Sequence, residues 1–326
     1  MKRLRNNLPL PLLLAGQSRI LVGGQAVIEG VMMRVPGAYA VAVRDPEGEI
    51  RTRREAFTSA VERWRWLKLP LLRGMVHLFE SLKIGLAALN WSADVALAAD
   101  ESKAGSASNV GGTILALVLG AGLFFVAPLW ISSRLIELEQ HALAFNLIAG
   151  TIRITFFLLY LALISRLPDV QRLFQYHGAE HMTVFAFEAG KPLTVDSIRD
   201  YPTQHPRCGT SFIFIVLVAA ILAFALIDSI ILAVTGEISL GLRLLVHLPL
   251  IPLVAGLGYE ALKLTSRYQH VALFRWLSRP GIWLQYITTK APDDEQVAVA
   301  LNSLKVAFGP ELSRVEGRRY LADAIG

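Results

Sequence analysis

Four stretches of the chain, residues 110–133, 142–165, 212–235 and 238–264, are long and apolar enough to cross a bilayer. About 20 residues at 1.5 Å rise span the hydrocarbon core, and backbone polar groups there must be satisfied within the segment, so each stretch is expected to be a helix. This constraint sets the fold class as a mainly α, polytopic membrane protein. Composition agrees, with 54% hydrophobic and 18% charged residues against about 25% charged in an ordinary soluble domain. The first stretch (VGGTILALVLGAGLFFVAPLWISS) and the third (FIFIVLVAAILAFALIDSIILAVT) carry almost no charge, whereas the second contains Arg153 and the fourth Arg243, His247 and Glu260. Arg153 is expected to snorkel outward from the early part of its span. Arg243 and Glu260 are expected near the two membrane interfaces.

Lysine and arginine set the orientation. Residues 1–109 hold 15 of the 32, residues 166–211 hold five and residues 263–326 hold nine, while the loop after the first span has Arg134 alone. Four spans put the three basic regions on one face, which the positive-inside rule assigns to the cytoplasm together with both termini. The formal charge of +6 and a pI near 9.5 then follow from topology and from attraction to anionic lipid. The lipid bilayer is therefore the first partner, and nucleic-acid binding is not required. The start, MKRLRNNLPLPLLLAGQ, has a basic head, but its short apolar run is broken by Pro9 and Pro11. It reads as a membrane-surface segment rather than a cleaved signal. Cys208, the one cysteine, excludes an intramolecular disulfide and suits a reducing cytoplasm.

Five regions follow: a cytoplasmic and membrane-surface region (1–109), a transmembrane hairpin (110–165), a cytoplasmic segment (166–211), a second transmembrane hairpin (212–264) and cytoplasmic C-terminal helices (265–326). In the first region, residues 38–44 and 49–54 flank the turn Asp45-Pro46-Glu47-Gly48, a hairpin signal. Residues 20–22 and 25–28 are expected to add short strands. Residues 56–100 change to a helical period, with Trp64, Trp66 and Trp91 as interface anchors and Lys68, Arg73 and Lys83 on the polar side. Such helices lie on the membrane or against the cytoplasmic part. Residues 101–112 read as a linker. Beyond the fourth span come a surface helix, a break at Pro280-Gly281 and a helix opened by Asp293 and Asp294. The chain has no internal repeat, Walker loop or GxGxxG pattern, which leaves nucleotide-dependent chemistry without support.

The segment 166–211 concentrates residues capable of chemistry: His177, Glu180, His181, Glu188, Asp196, His205, Arg207 and Cys208. In YHGAEHM, successive helical residues turn by about 100°, so His177, Glu180 and His181 share an arc of roughly 100°. The order H-x-x-E-H is the reverse of H-E-x-x-H, in which two histidines hold zinc and the glutamate serves as general base. The pentapeptide occurs by chance in about one chain of this composition per hundred. Zinc needs further ligands, and QHPRCGTSF supplies a nitrogen in His205 and a sulfur in Cys208. The same residues have plainer readings: His205 as a loop residue bonded to backbone, Cys208 as a small buried hydrophobe, Arg207 as a lipid-phosphate anchor. Asp196 is expected to cap a helix beginning at Ser197. In GGQAVIEGVMMR, Glu29 sits among apolar neighbours and is a candidate ligand, base or arginine partner, or else an exposed strand-end residue.

GGQAVIEGVMMR, RGMVHLFESLKIG, YHGAEH, HPRCGTSF and PGIWLQYITTKAPDDEQVAVAL, in that order, resemble the YqhQ-like family of bacterial membrane proteins. The similarity runs from about residue 20 to 308. The family is a domain of unknown function whose members are commonly labelled predicted metal-dependent enzymes. The resemblance implies a bacterial cytoplasmic (inner) membrane location and singles out Gly23, Gly24, Gln25, Glu29, Gly30, Arg34, His177, Glu180, His181, His205, Arg207, Cys208 and Gly209.

Two functional classes remain open. In the first, a metal-dependent hydrolase at the cytoplasmic membrane face, His177 and His181 bind a divalent metal, most simply zinc, with His205 or Cys208 as third ligand. Glu180 is then the base, and Glu29 and Arg207 orient the substrate. In the second, a membrane scaffold or assembly factor, the same residues form a structural polar or metal knot, and the basic face binds another membrane protein, a translocon component or a ribosome. Transport is a third reading, supported only by the intramembrane polar groups.

Overall fold

The computed structural model describes residues 20–97, 106–135, 141–268 and 270–320. The expected N-terminal surface segment and the first part of the linker lie outside these residues. A four-stranded antiparallel meander opens the described chain, β1 (Gly23–Val27), β2 (Gly30–Val35), β3 (Ala38–Arg44) and β4 (Ile50–Ala56), in that spatial order. The β3–β4 hairpin turns where expected: Gly48 N–H donates to the Asp45 carbonyl at 3.0 Å, with Gly48 at φ +88°. Residues 20–22 are not a strand, and β2 is a strand that the sequence did not announce.

The longer helices, in chain order, are α1 (Leu72–Ala96), α2 (Ser106–Ala121, continued by a π turn at Gly122–Val126 and by Ala127–Leu135), α3 (Ala142–Ile164), α4 (Pro168–Glu188), α5 (Gly209–Thr235), α6 (Leu240–Arg267), α7 (Ala272–Thr288) and α8 (Asp294–Phe308). The sheet is the middle of three layers. Alternation along β3 sends Ala38, Ala40 and Ala42 to one face and Tyr39, Val41 and Val43 to the other. The first face meets Tyr176, Ala179 and Phe187 of α4 and Val297, Leu301 and Leu304 of α8; the second meets Ile84 and Ala88 of α1. Alanines on the inner face let α8 approach closely enough for the Ser303 hydroxyl to donate to the Ala40 carbonyl at 3.0 Å. Each fully buried large side chain here, such as Phe187 or Leu304, contributes about 1.5–3 kcal/mol.

α2, α3, α5 and α6 are the four helices long and apolar enough to cross a membrane. Leu117, Leu119, Leu222, Leu226, Val234 and Leu245 face outward and exposed, an apolar surface far larger than water tolerates, which fits a lipid environment. α5 ends on Gly236 in the left-handed region at φ +78°, and Ser239 caps α6 through the Leu242 N–H.

Four local expectations are corrected. Arg153 does not snorkel: it is 4% exposed, and its Nε donates at 2.8 Å to the Phe124 carbonyl inside the π turn, whose irregular ladder makes that carbonyl an accessible acceptor. The second half of the expected linker is already helix from Ser106, while Arg243 lies in the first turn of α6, near its end as expected, though buried against the bundle, and Glu260 pairs with Arg73 of α1. α7 runs through Pro280-Gly281 without a break, because that turn packs on the start of α5: a Cβ at Gly281 would meet Ser211 at 2.7 Å. Thr194, not Asp196, caps the short turn Val195–Ile198. The last helix opens as expected, with Asp293 and Gln296 forming a capping box.

Candidate functional site

α4 starts with Pro168 in its first turn and Asp169 beside it, both favourable there. Gly178 does not interrupt the helix. It is the point at which the chain leaving α7 crosses: Lys290 N–H donates to the Phe174 carbonyl at 2.9 Å, and a Cβ on Gly178 would meet the Lys290 carbonyl oxygen at 2.2 Å. That crossing brings the C-terminal end of α7 over the His177 ring.

His177 Nδ1 lies 2.8 Å from the Thr288 carbonyl oxygen, and His181 Nδ1 lies 2.5 Å from that of Thr203. A carbonyl only accepts, so the hydrogen-bond network assigns the proton to Nδ1 in both rings and leaves Nε2 as a lone pair. The two rings are 4.4 Å apart between centroids. His177 Nε2 is 3.2 Å from Cys208 Sγ, and the ligand atoms of His177, His181 and Cys208 all lie within 4.8 Å of one another. Cys208 reaches this point because it is the N-cap of α5, where its sulfur accepts the Thr210 N–H at 3.4 Å.

Two imidazole nitrogens and a sulfur suit zinc. Metal–nitrogen distances of about 2.0–2.1 Å and metal–sulfur of about 2.3 Å put tetrahedral ligand atoms roughly 3.3–3.8 Å apart, against mutual separations within 4.8 Å here. The carbonyls behind both Nδ1 atoms are the support that metal-ligating histidines commonly use to fix tautomer and ring direction.

Glu180 is buried beside His177, with its stem against β1, where a Cβ on Gly24 would meet Glu180 Cγ at 3.2 Å. Burial pushes its carboxyl up to about 7, opposed by the Gly24 N–H it accepts. The two polar strings around Gly24 and Glu180 thus meet, although 156 residues separate them in sequence.

The other expected site residues do not join this cluster. His205 is buried and turned the other way: its Nδ1 accepts from the Arg207 N–H at 3.3 Å, and its Nε2 lies 3.7 Å from Glu188 Oε2. Arg207 forms an ion pair with the same Glu188 carboxylate. Burial pushes the His205 pKa down to about 4. This layer backs the cluster, with the His181 and His205 rings 5.6 Å apart. Arg207 is accordingly a buried ion-pair partner and not a lipid anchor. Glu29 sits in the β1–β2 turn at φ +51° and is bound by the Arg172 guanidinium through both oxygens, the second at 2.6 Å, with the Tyr176 hydroxyl at 3.2 Å. It contacts α4 one turn before His177 and resolves as an arginine partner.

Sequence reasoning missed three contributors. The carbonyls of Thr203 and Thr288 carry no side-chain signal. Gln285 had one, a lone amide in the apolar run WLQYI. Fully buried, it clamps the 205–211 loop by accepting from His205 N–H at 2.7 Å and donating to the His205 carbonyl and Ser211 hydroxyl at 2.9 Å each.

Comparison with known proteins returns a match of residues 69–309 to the family described as "Protein of unknown function (DUF1385)". "Uncharacterized protein YqhQ" of Bacillus subtilis (strain 168) is 30% identical over 313 residues, spanning 90% of this chain and 92% of that protein. No solved structure matches.

Proposed function

The chain belongs to the DUF1385 family, and on that premise we propose that it is a metal-dependent membrane enzyme, most simply a zinc hydrolase. One observation carries the reading: His177 and His181 each tie Nδ1 to a backbone carbonyl, and their ligand atoms gather with Cys208 Sγ within 4.8 Å of one another. His177, His181 and Cys208 would hold the ion, and three protein ligands leave a fourth position open, the catalytic rather than the closed structural pattern. When bound, such an ion would supply Lewis acidity and an acidified water. Glu180, whose carboxyl burial raises to about 7 before any ion is bound, would accept and return the proton as general base. Glu188, Arg207 and Gln285 hold the loop that presents Cys208. Glu29 and Arg207 take no direct part, since their charged groups are already engaged.

The site lies where the sheet domain meets the first residue of α5, so a lipid-linked or membrane-bound peptide substrate is within reach. In this reading that face is cytoplasmic, with both termini on the same side of a bacterial inner membrane, as the basic-residue bias requires. The test is reversible loss of turnover: a chelator should abolish hydrolysis of peptide or ester substrates in the reconstituted protein and zinc should restore it, while Glu180→Gln should lower it by about 10² or more. Burial of His181, Glu180 and Cys208 favours a second reading, a structural knot in a scaffold whose partner is another membrane protein, a translocon component or a ribosome. In that case Glu180→Gln changes stability and no turnover is found.

A further inference from the structure

A second polar cluster lies at the opposite end of α5. Asp228 is 20 residues beyond Cys208, about 30 Å along the helix at 1.5 Å per residue, and it is fully buried among membrane-spanning helices. His247 Nε2 of α6 lies 2.8 Å from Asp228 Oδ1, and Asn146 Nδ2 of α3 donates to Oδ2 at 2.7 Å. Arg243 Nε is 3.6 Å from Oδ2, and its guanidinium sits 3.3 Å from the centroid of the Phe145 ring. An ionisable residue inside a span is costly and marks an ion or proton site more often than a structural accident.

We propose that Asp228 and His247 form an intramembrane proton-binding site. The Asp228 contact places a proton on His247 Nε2, and the imidazole lies 4.0 Å from the Phe224 ring in a stacked arrangement. His247 Nδ1 is buried and has no hydrogen-bond partner among the described residues, so one acceptor stands vacant in the span. A proton bound there forms an N–H bond at Nδ1 and makes an imidazolium whose charge Asp228 already faces. The charged group facing the pair besides these two is Arg243, on α6 itself. α3 offers Asn146 and Phe145 at this level, its Arg153 lying two turns further along with Nε on the Phe124 carbonyl, and α2 offers Ser132 and Leu129.

The nearest open space lies at the near end of the bundle. Asn146 Nδ2 also donates to the Ala142 carbonyl at 2.9 Å. Ala142 lines an open groove of about 530 Å³ between α3 and α5, with His141 and Ser229 beside it. Immediately beyond His247, Pro249 and Pro252 remove two ladder bonds from α6, so the helix carrying the imidazole is able to bend as its charge changes.

The test uses full-length protein in lipid vesicles and infrared difference spectra between about pH 5 and 8, the window in which histidine titrates. A histidine signal is expected that His247→Gln removes, that Asp228→Asn shifts, and that Cys208→Ser leaves in place. A spectrum unchanged by His247→Gln overturns the proposal. If the variants do not insert, ring-nitrogen NMR of histidine-labelled wild type decides. One histidine shielded from a water-soluble relaxation agent must gain a proton at Nδ1 as pH falls, and its absence overturns the proposal equally.

Discussion

Cys208 Sγ and His177 Nε2 lie 3.2 Å apart and join two parts of the molecule with different surroundings. His177 belongs to a helix packed on the β-sheet, while Cys208 caps a helix of membrane-spanning length whose one charged residue is Asp228. The candidate centre is therefore a clasp between the sheet domain and the bundle, and changes on either side of it should register at the other.

Gly178→Ala should destabilise the protein by about 1–3 kcal/mol through overpacking, because the added Cβ would meet the Lys290 carbonyl at 2.2 Å. Helix propensity alone predicts the opposite sign, a gain of about 1 kcal/mol. Gly120→Ala, with nothing within 4 Å of the added carbon, is the control and should be neutral or slightly stabilising. Thermal unfolding in detergent separates the two.

Glu29→Gln should cost about 0.5–1 kcal/mol, the value of a partly exposed ion pair, since Arg172 is about half exposed. Metal content should not change. A variant that loses metal would place Glu29 in the centre after all.

The buried His205, held down to about 4 against an ordinary 6.5, makes stability depend on acid. Its folded pKa is depressed, so the contribution is fully present above about pH 6.5 and is lost as pH falls toward 4, amounting to about 3 kcal/mol. The unfolding midpoint of the wild type should drop over that window. His205→Gln should flatten the slope by up to one proton. Parallel profiles for the two proteins contradict the assignment.

The four spans and the β3–β4 hairpin were legible because length, hydropathy and turn chemistry are local properties of the chain. His177, His181 and Cys208 were legible as ligand types but not as a set: His205 has equal chemical claim, and only the loop clamped by Gln285 decides which of the two faces the histidine pair. Arg153 was misplaced because a charge in an apolar run reads as an end marker until its partner is known. Asp228 escaped notice in the most hydrophobic span for the same reason, its partners Asn146 and His247 lying on two other helices.

Topology is tested by reporter fusions after Ala104, Gln175 and Gly326. All three should report the cytoplasm, given that 29 lysines and arginines fall on that face and one on the other, leaving aside Arg153 and Arg243 within the spans. A periplasmic report at Gln175 contradicts the cytoplasmic location of the centre.

The most direct test of the central claim is elemental analysis of the purified full-length protein from zinc-replete cells, wild type beside Glu180→Gln and the double variant His177→Ala/His181→Ala. Ligation needs the neutral imidazoles themselves, so the wild type and Glu180→Gln should carry close to one zinc-class ion per chain and the double variant close to none. Equal metal content in the wild type and the double variant, or none in the wild type, would contradict a metal centre at His177, His181 and Cys208.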